Sequence, residues 1–156
     1  MGMQLSTIVK PGAVRAYPQA SSKKRLFQDI AEMGAQLYGL DASQTLDALQ
    51  ERESLGPTGV GNGVALPHAR LHTLDHVAGI FIKLDKPLDF DAVDRQPVDL
   101  IFALFAPKGS GVEHLKALAL VSRTLRDPDL RAKLRANSDP AALHAILTSG
   151  QGVQAA

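Results

Sequence analysis

The chain has 156 residues, 45% of them hydrophobic, and its 17 lysines and arginines nearly balance 16 aspartates and glutamates, for a formal net charge of +1. This length suits one domain with a proper hydrophobic core, and the near-neutral charge lacks the basic excess that nucleic-acid binding requires. Cysteine is absent, which excludes disulfides, thiolate metal sites and a cysteine nucleophile and favours a reducing, cytoplasmic location. No apolar run approaches the roughly 20 residues of a membrane span, so membrane insertion is not expected.

The first third of the chain predicts a short strand or loop followed by two helices. Residues 1–20 carry a few apolar positions interrupted by prolines and a glycine, which predicts a short strand or a loop. A helix is predicted from Lys23 to Tyr38, because apolar residues recur there at helical spacing between a serine pair and a glycine. A second helix begins at Asp41 or Ser43 and ends at Gly56.

The rest of the chain predicts hydrophobic strands and further helices. Strands are predicted at 64–66, 77–84 and 98–105, and helices from about 112 to 126, from 127 and from 138. The run 98–105 is almost continuously apolar, which is typical of a central strand covered on both faces. Helices before, between and after strands predict a single α/β domain with a mixed sheet over residues 1–150, and a flexible tail over 151–156.

The segment from Gly56 to His68 concentrates four glycines and two prolines in thirteen residues. Glycine lets backbone N–H groups approach a ligand closely, and Pro67 restricts the backbone that enters His68. An imidazole with a pKa of about 6.5 is mostly neutral at pH 7 and needs no partner base to act as a nucleophile. The segment favours a site where His68 accepts a phosphoryl group; the alternative is a mobile loop with a surface histidine. The glycines match neither the Walker A nor the dinucleotide-binding spacing, so nucleotide binding is not expected.

Several neighbouring groups are candidates for holding that phosphate. Arg52 precedes the glycine segment by four residues and could bond phosphate oxygens through its guanidinium, or it could be a surface ion-pair member between two glutamates. Thr58 has a hydroxyl that could donate to the same phosphate or only cap a turn. The loop N–H groups of Gly59, Gly61 and Gly63 complete the predicted phosphate-binding set.

The remaining histidines are weighed separately. His114 lies in the first turn of a predicted helix, where free N–H groups and the helix dipole attract phosphate and disfavour a protonated histidine; the alternative is a solvated first-turn residue. His68, His72 and His76 recur every four residues, which on a helix would suggest a metal, but the segment has weak amphipathicity and few further ligands. No metal site is therefore predicted. His144, between alanines on a late helix, is interpreted as structural or exposed.

One signature joins several of these candidates. Arg52-Glu53, then four residues, then the run from Thr58 through Pro67-His68, resembles the signature of phosphotransferase-system enzyme IIA domains of the mannitol/fructose type. Within that group the nearest resemblance is to the nitrogen-regulatory branch. The resemblance continues through residues 87–104 and into the helix that carries His114, so it covers about residues 5–148.

The resemblance implies a compact α/β fold with a mixed sheet flanked by helices on both faces. It implies that the chain is a phosphotransferase component in which His68 accepts phosphate from an HPr-like phosphocarrier, with neither metal nor cofactor. His114 matches the second active-site histidine, which supports transfer, and Arg52 matches the arginine that stabilises the phosphate. Nε2 is the expected phosphorylated nitrogen, because the donor carriers use Nδ1, although the residues alone leave this open.

Three functions remain as alternatives. Members of the nitrogen branch regulate partner proteins, such as sensor kinases and potassium transporters, according to their phosphorylation state. A fructose- or mannitol-type enzyme IIA instead passes phosphate to a sugar-specific enzyme IIB. The third alternative is a binding module that has lost phosphotransfer, which the coincidence of the four candidates Arg52, Thr58, His68 and His114 disfavours. Two departures are Pro57, where many relatives carry serine, and Ala69-Arg70, where glycine-lysine is common.

Overall fold

The computed structural model describes residues 3–155, with side chains described up to residue 149, and within that range six strands form one mixed sheet surrounded by six helices. The strands are β1 (Val9–Tyr17), β2 (Gly59–Gly61), β3 (Val64–Ala65), β4 (His68–Leu71), β5 (Ala78–Leu88) and β6 (Val98–Pro107). The helices are α1 (Leu5–Ile8), α2 (Lys23–Tyr38), α3 (Ala42–Ser54), α4 (Gly111–Leu125), α5 (Pro128–Arg135) and α6 (Pro140–Ala155).

Strand β6 is the centre of the sheet, whose order is β1-β5-β6-β3-β2, with β4 also paired to β6. It runs antiparallel to β5 and parallel to both β3 and β4. Every residue from Leu100 to Ala106 is buried, so both faces of β6 are covered, since successive side chains point to opposite faces. The prediction of a central strand covered on both faces is confirmed.

Strands β3 and β4 lie along the same edge of β6 and together place His68. Val64 and Ala65 pair with residues 100 and 101, and His68 pairs with Leu104. The interruption at Leu66-Pro67 is bridged by a hydrogen bond from the Leu104 N–H to the Pro67 carbonyl, 2.9 Å. His68 therefore begins a strand that is fixed to the most buried part of the sheet.

The predicted helix boundaries are confirmed where capping residues define them. The Ser22 side chain accepts a hydrogen bond from the backbone N–H of Arg25 at the start of α2, and Gly39 ends that helix in the left-handed region at φ 68°. The Asp41 carboxylate accepts from the backbone N–H of Gln44 at the start of α3. Helix α3 ends at Ser54, two residues before the predicted end.

Three local expectations differ from the structure. The N-terminal strand is nine residues long and passes through Pro11 and Gly12; it is an edge strand with a register shift between Val9 and Val14, where proline is tolerated. The expected glycine loop is instead the β2–β3 hairpin. The segment after Pro67, where no strand is predicted, is β4.

Two further expectations concern the C-terminus and membranes. Helix α6 extends to Ala155. The flexible tail predicted over 151–156 stays a prediction, and its last residue lies outside the described residues. Among the helices of the described chain, none has the length and apolar character needed to cross a membrane.

Candidate active site

A cleft of about 390 Å³ opens where the end of α3, strand β4 and the beginning of α4 meet. Arg52, His68 and His114, the three predicted catalytic residues, all line this cleft. Its complete lining is Ala48, Glu51, Arg52, Leu55, His68, Ala69, Arg70, Lys108 and His114.

His68 is half-buried at the start of β4, and its two ring nitrogens have different partners. Nδ1 lies 2.8 Å from the Leu66 carbonyl oxygen. A carbonyl can only accept, so Nδ1 carries the proton and Nε2 carries the lone pair. Burial is the main cause that lowers the pKa of His68 below 6.5, and Arg52 adds to it, against the opposing hydrogen bond to Leu66. The ring is therefore neutral at pH 7, with Nε2 as its nucleophilic atom.

Arg52, in the last turn of α3, faces that nucleophilic nitrogen. Its Nε–H donates to His68 Nε2 at 3.2 Å, and its Nη1 donates to the Gly56 carbonyl at 2.9 Å. Arg52 does not form the surface ion pair with Glu53 that was the alternative, because the Glu53 carboxylate pairs with Lys23 instead. The guanidinium is held next to the atom on which a phosphate would form.

His114 lies in the first turn of α4 and is 4% exposed, so the solvated alternative is wrong. Arg70 Nε–H donates to its Nδ1 at 2.9 Å. Because Nδ1 accepts, the ring proton is on Nε2. Burial, followed by the neighbouring His68 and Arg70, lowers the pKa of His114 to about 4. His114 is therefore a neutral hydrogen-bond donor.

The donor atom of His114 is Nε2, on a ring that lies beside the His68 ring. Within the described part of the chain, its Nε2 is buried and has no hydrogen-bond partner. The His68 and His114 ring centroids are 5.3 Å apart, with the planes inclined at 69°. A buried donor without an acceptor costs about 1–3 kcal/mol. An oxygen-bearing group on His68 would supply that acceptor.

The other predicted phosphate ligands lie elsewhere. Thr58 is 3% exposed, and its hydroxyl donates to Glu53 Oε1 at 2.5 Å rather than lining the cleft. A Cβ at Gly59 would press on Ala92. Gly61 and Gly63 lie beside a different set of side chains, Asp94, Asp99 and Arg135. The structure thus brings the two histidines and Arg52 together, and it does not bring Thr58 or the three glycines to the cleft.

Arg70 is the functional residue that sequence reasoning missed. In the sequence it stands out only as part of a departure from the family pattern, Ala69-Arg70. Residues His68 and Arg70 are two apart on β4, so their side chains share one face of the strand. In a strand, this alternation places Arg70 next to His68.

The three-histidine pattern has no metal-binding geometry here. His68 begins a strand, and His72 and His76 lie in the exposed turn segment beyond it, so a shared helical face does not exist. His76 Nδ1 is 2.6 Å from the Asp75 carboxylate. Across the described residues there is no group of three or more histidine, cysteine or carboxylate side chains that could hold a metal.

Comparison with known sequences gives consistent results over nearly the whole chain. The sequence model of the phosphoenolpyruvate-dependent sugar phosphotransferase system, EIIA 2, matches residues 7–150. A nitrogen regulatory protein of Bradyrhizobium diazoefficiens is 44% identical over 145 residues, which cover 93% of this chain and 95% of that protein. A nitrogen regulatory protein of Escherichia coli K12 is 39% identical over 152 residues, covering 96% and 93%.

A solved structure agrees with the fold. The crystal structure of nitrogen regulatory protein IIA-Ntr from Neisseria meningitidis matches with a TM-score of 0.86 at 33% identity, over 92% of this chain and 99% of that one. The predicted α/β class, one compact domain with a mixed sheet flanked by helices, is thereby confirmed.

Proposed function

Since the chain belongs to the EIIA 2 family of the phosphoenolpyruvate-dependent sugar phosphotransferase system, we propose that it is a histidine phosphocarrier in which Nε2 of His68 accepts phosphate from an HPr-like protein. The observation that carries the proposal is the pairing of two neutral histidines in opposite tautomers. His68 presents a lone pair on Nε2, and His114 presents a proton on its own Nε2 at the adjacent position.

The transfer step follows from this arrangement. The Nε2 lone pair of His68 attacks phosphorus, a new N–P bond forms, and the donor's N–P bond breaks with its electron pair leaving on the donor nitrogen. The His68 ring gains positive character, which the hydrogen bond from Nδ1–H to the Leu66 carbonyl stabilises. Such transfers depend on alignment and charge neutralisation more than on covalent chemistry.

Charge neutralisation is assigned to Arg52 and His114. The Arg52 guanidinium already contacts His68 Nε2, so it lies beside the incoming phosphoryl oxygens. The His114 Nε2–H can donate to one of those oxygens without a change of protonation, since its pKa of about 4 keeps it neutral. Arg70 acts through His114, because its donation to Nδ1 keeps the proton on Nε2.

A protein is the phosphoryl donor that the surface around the cleft suits. Leu55, which lines the cleft, is 80% exposed, and Val112 and Leu115 near His114 are each 65% exposed. Exposed apolar side chains around a functional site are typical of protein-interaction surfaces. A small-molecule site would enclose its ligand more completely.

We extend the proposal to a regulatory role in the cytoplasm, because the relatives described above are nitrogen regulatory proteins. Phosphorylation of His68 adds roughly two negative charges to the cleft. That change can repel one partner and recruit another. Sensor kinases and potassium transporters are the partner classes that the family resemblance implies.

The test incubates the protein with phosphoenolpyruvate, enzyme I and an HPr-like carrier and measures its mass. Wild type should gain one acid-labile, base-stable phosphoryl group. His68→Ala should gain none, and His72→Ala, at an exposed histidine four residues further on, should behave like wild type. If the HPr-like carrier is phosphorylated and wild type gains no mass, the phosphocarrier proposal is refuted. Onward transfer to a fructose- or mannitol-type enzyme IIB would favour sugar transport over regulation.

A further inference from the structure

We propose that Glu53 and Thr58 form a positioning pair that sets both the guanidinium of Arg52 and the tautomer of His68. The inference rests on the proposed phosphocarrier function. It gives Thr58 a role different from the phosphate ligand predicted from the sequence. Neither residue lines the cleft, so both act through other residues.

The Glu53 carboxylate is the centre of the pair. Its side chain is 9% exposed. Oε2 accepts from the Thr58 backbone N–H at 2.9 Å, and Oε1 accepts from the Thr58 hydroxyl at 2.5 Å. Both bonds involve an ionised carboxylate, so they are stronger than neutral hydrogen bonds. The end of α3 is thereby fixed to the beginning of the β2–β3 hairpin.

Lys23 compensates the buried charge from a third element. Its Nζ lies 2.8 Å from Glu53 Oε2 and also donates to the Phe90 carbonyl at 3.1 Å. The same ammonium lies 4.9 Å from the centroid of the Phe90 ring. The first residue of α2 therefore holds the carboxylate in one place, and the pair does not depend on a flexible surface contact.

A chain of hydrogen bonds leads from Thr58 to the phosphoacceptor. The Thr58 carbonyl accepts from the Leu66 N–H at 3.0 Å. The Leu66 carbonyl then accepts from His68 Nδ1–H at 2.8 Å. This last bond and the donation from Arg52 Nε–H to His68 Nε2 together put the lone pair on Nε2. A displacement of Thr58 moves the Leu66 carbonyl, weakens its hydrogen bond with Nδ1–H and allows the other tautomer of His68 to be populated.

A second, shorter route leads from Glu53 to Arg52. The two residues are adjacent in the last turn of α3. The turn that follows, residues 55–58, is held to the end of α3 at Gly56. The Gly56 N–H donates to the Glu53 carbonyl at 3.2 Å, and the Gly56 carbonyl accepts from Arg52 Nη1 at 2.9 Å. The contacts of the Glu53 carboxylate with Thr58 hold the other end of this turn to α3. Losing them frees the turn on which the Arg52 guanidinium depends.

The experiment compares Thr58→Val, which keeps the shape and removes the hydroxyl, with Thr58→Ser, which restores it. Thr45→Val is the matched control, because Thr45 is a fully buried threonine of α3 whose hydroxyl has no partner in the described structure. The readouts are the rate of phosphate transfer from the charged carrier and the ring ¹⁵N shifts of His68, which report its tautomer without any transfer.

Thr58→Val should lower the maximal transfer rate about 10- to 100-fold, the scale of a small misplacement of reacting groups, with little change in the carrier concentration at half-maximal rate. Its His68 shifts should show a mixture of tautomers. Thr58→Ser should recover most of the rate, and Thr45→Val should match wild type in both readouts. Glu53→Gln is the second variant, with a loss in the same direction, should Thr58→Val fold poorly.

Unchanged rate and tautomer in folded Thr58→Val would overturn the positioning role. A loss that Thr58→Ser fails to recover would overturn it as well. If wild type itself accepts no phosphate, the proposed function fails instead, and the tautomer measurement still decides whether Glu53 and Thr58 position His68.

Discussion

At the scale of single residues, the two cleft histidines carry their ring protons on opposite nitrogens. The Leu66 carbonyl accepts from Nδ1 of His68, and the Arg70 guanidinium donates to Nδ1 of His114. One ring thereby offers a lone pair on Nε2, and the other offers a proton on Nε2. Removing one well-placed donor from such a site typically costs about 10²–10³ in rate. The partners of the two Nδ1 atoms, Leu66 and Arg70, therefore decide which role each Nε2 atom can take.

The low pKa of His114 predicts how stability depends on pH. Burial, His68 and Arg70 lower that pKa to about 4, so below about pH 6.5 the unfolded chain takes up a proton that the folded protein does not. The contribution of His114 to the free energy of unfolding is complete above pH 6.5 and is lost as the pH falls to about 4, by on the order of 3 kcal/mol. Urea unfolding at several pH values measures this loss.

The comparison that isolates His114 uses a neutral replacement. His114→Gln should lose less stability on acidification than wild type, because the titrating ring is gone. His72→Gln, at an exposed histidine, should keep the wild-type dependence. Parallel pH curves for wild type and His114→Gln would contradict the assignment.

At the scale of elements, the β2–β3 hairpin explains the glycines near His68. Its two-residue turn is Asn62-Gly63, with φ of 59° and 76°, the left-handed pair that a tight hairpin requires. Arg135 of α5 donates to the Asn62 carbonyl and forms a two-point ion pair with Asp99 beside the turn. Gly63 therefore serves the turn, and Gly59, Gly61 and Gly63 do not line the cleft.

Gly63→Ala should therefore lower stability without altering transfer. A Cβ there would meet Asp99 Oδ1 at 2.8 Å and the Arg135 guanidinium, at a φ that disfavours side chains, for a cost of about 1–3 kcal/mol. Thermal unfolding measures the loss, and the transfer rate per folded molecule should equal that of wild type. Gly109→Ala, where an added Cβ meets nothing within 4 Å, is the stability control. A stable Gly63→Ala protein that fails to accept phosphate would restore the phosphate-binding role.

Elements that depend on local signals were predictable from the sequence, and elements that depend on long-range pairing were not. Caps such as Ser22 and Asp41 act within one turn, so helix starts were predictable from a few residues. Strand β4 is four residues long and alternates polar and apolar side chains directly after a proline; its pairing with β6, some 36 residues away along the chain, is what makes it a strand. The Asn62-Gly63 dipeptide is itself a strong local signal for a two-residue hairpin.

Within the site, the same distinction holds. His68, Arg52 and His114 belong to a recognisable signature, and the structure brings them together. The contact of Arg70 with His114 joins residues 44 apart in the chain, so no local pattern specifies it. The tautomers depend on such contacts and were beyond the reach of sequence reasoning.

At the scale of the whole molecule, the sheet gathers three distant segments around one nitrogen. Strand β6 holds His68 through β4 and leads directly into the loop before α4, which carries His114. Helix α3 packs against β4 and supplies Arg52. A phosphoryl group on His68 would bond to groups from α3 and α4 at once, and so would link two elements that otherwise meet only across the cleft.

Phosphorylation should therefore slow backbone hydrogen exchange on both sides of the cleft. The expected segments are residues 52–58, fixed through Arg52, and the first turn of α4, fixed through the new acceptor for His114 Nε2–H. Exchange measured by mass spectrometry on freshly phosphorylated and unmodified protein tests this, with residues 78–84 of β5 as the internal reference, since they are already buried in the sheet. His114→Gln should weaken the effect in α4 more than in residues 52–58, because Arg52 remains. Equal exchange in the two states would mean that neither Arg52 nor His114 holds the phosphate, and would remove the basis for a change in this surface on phosphorylation.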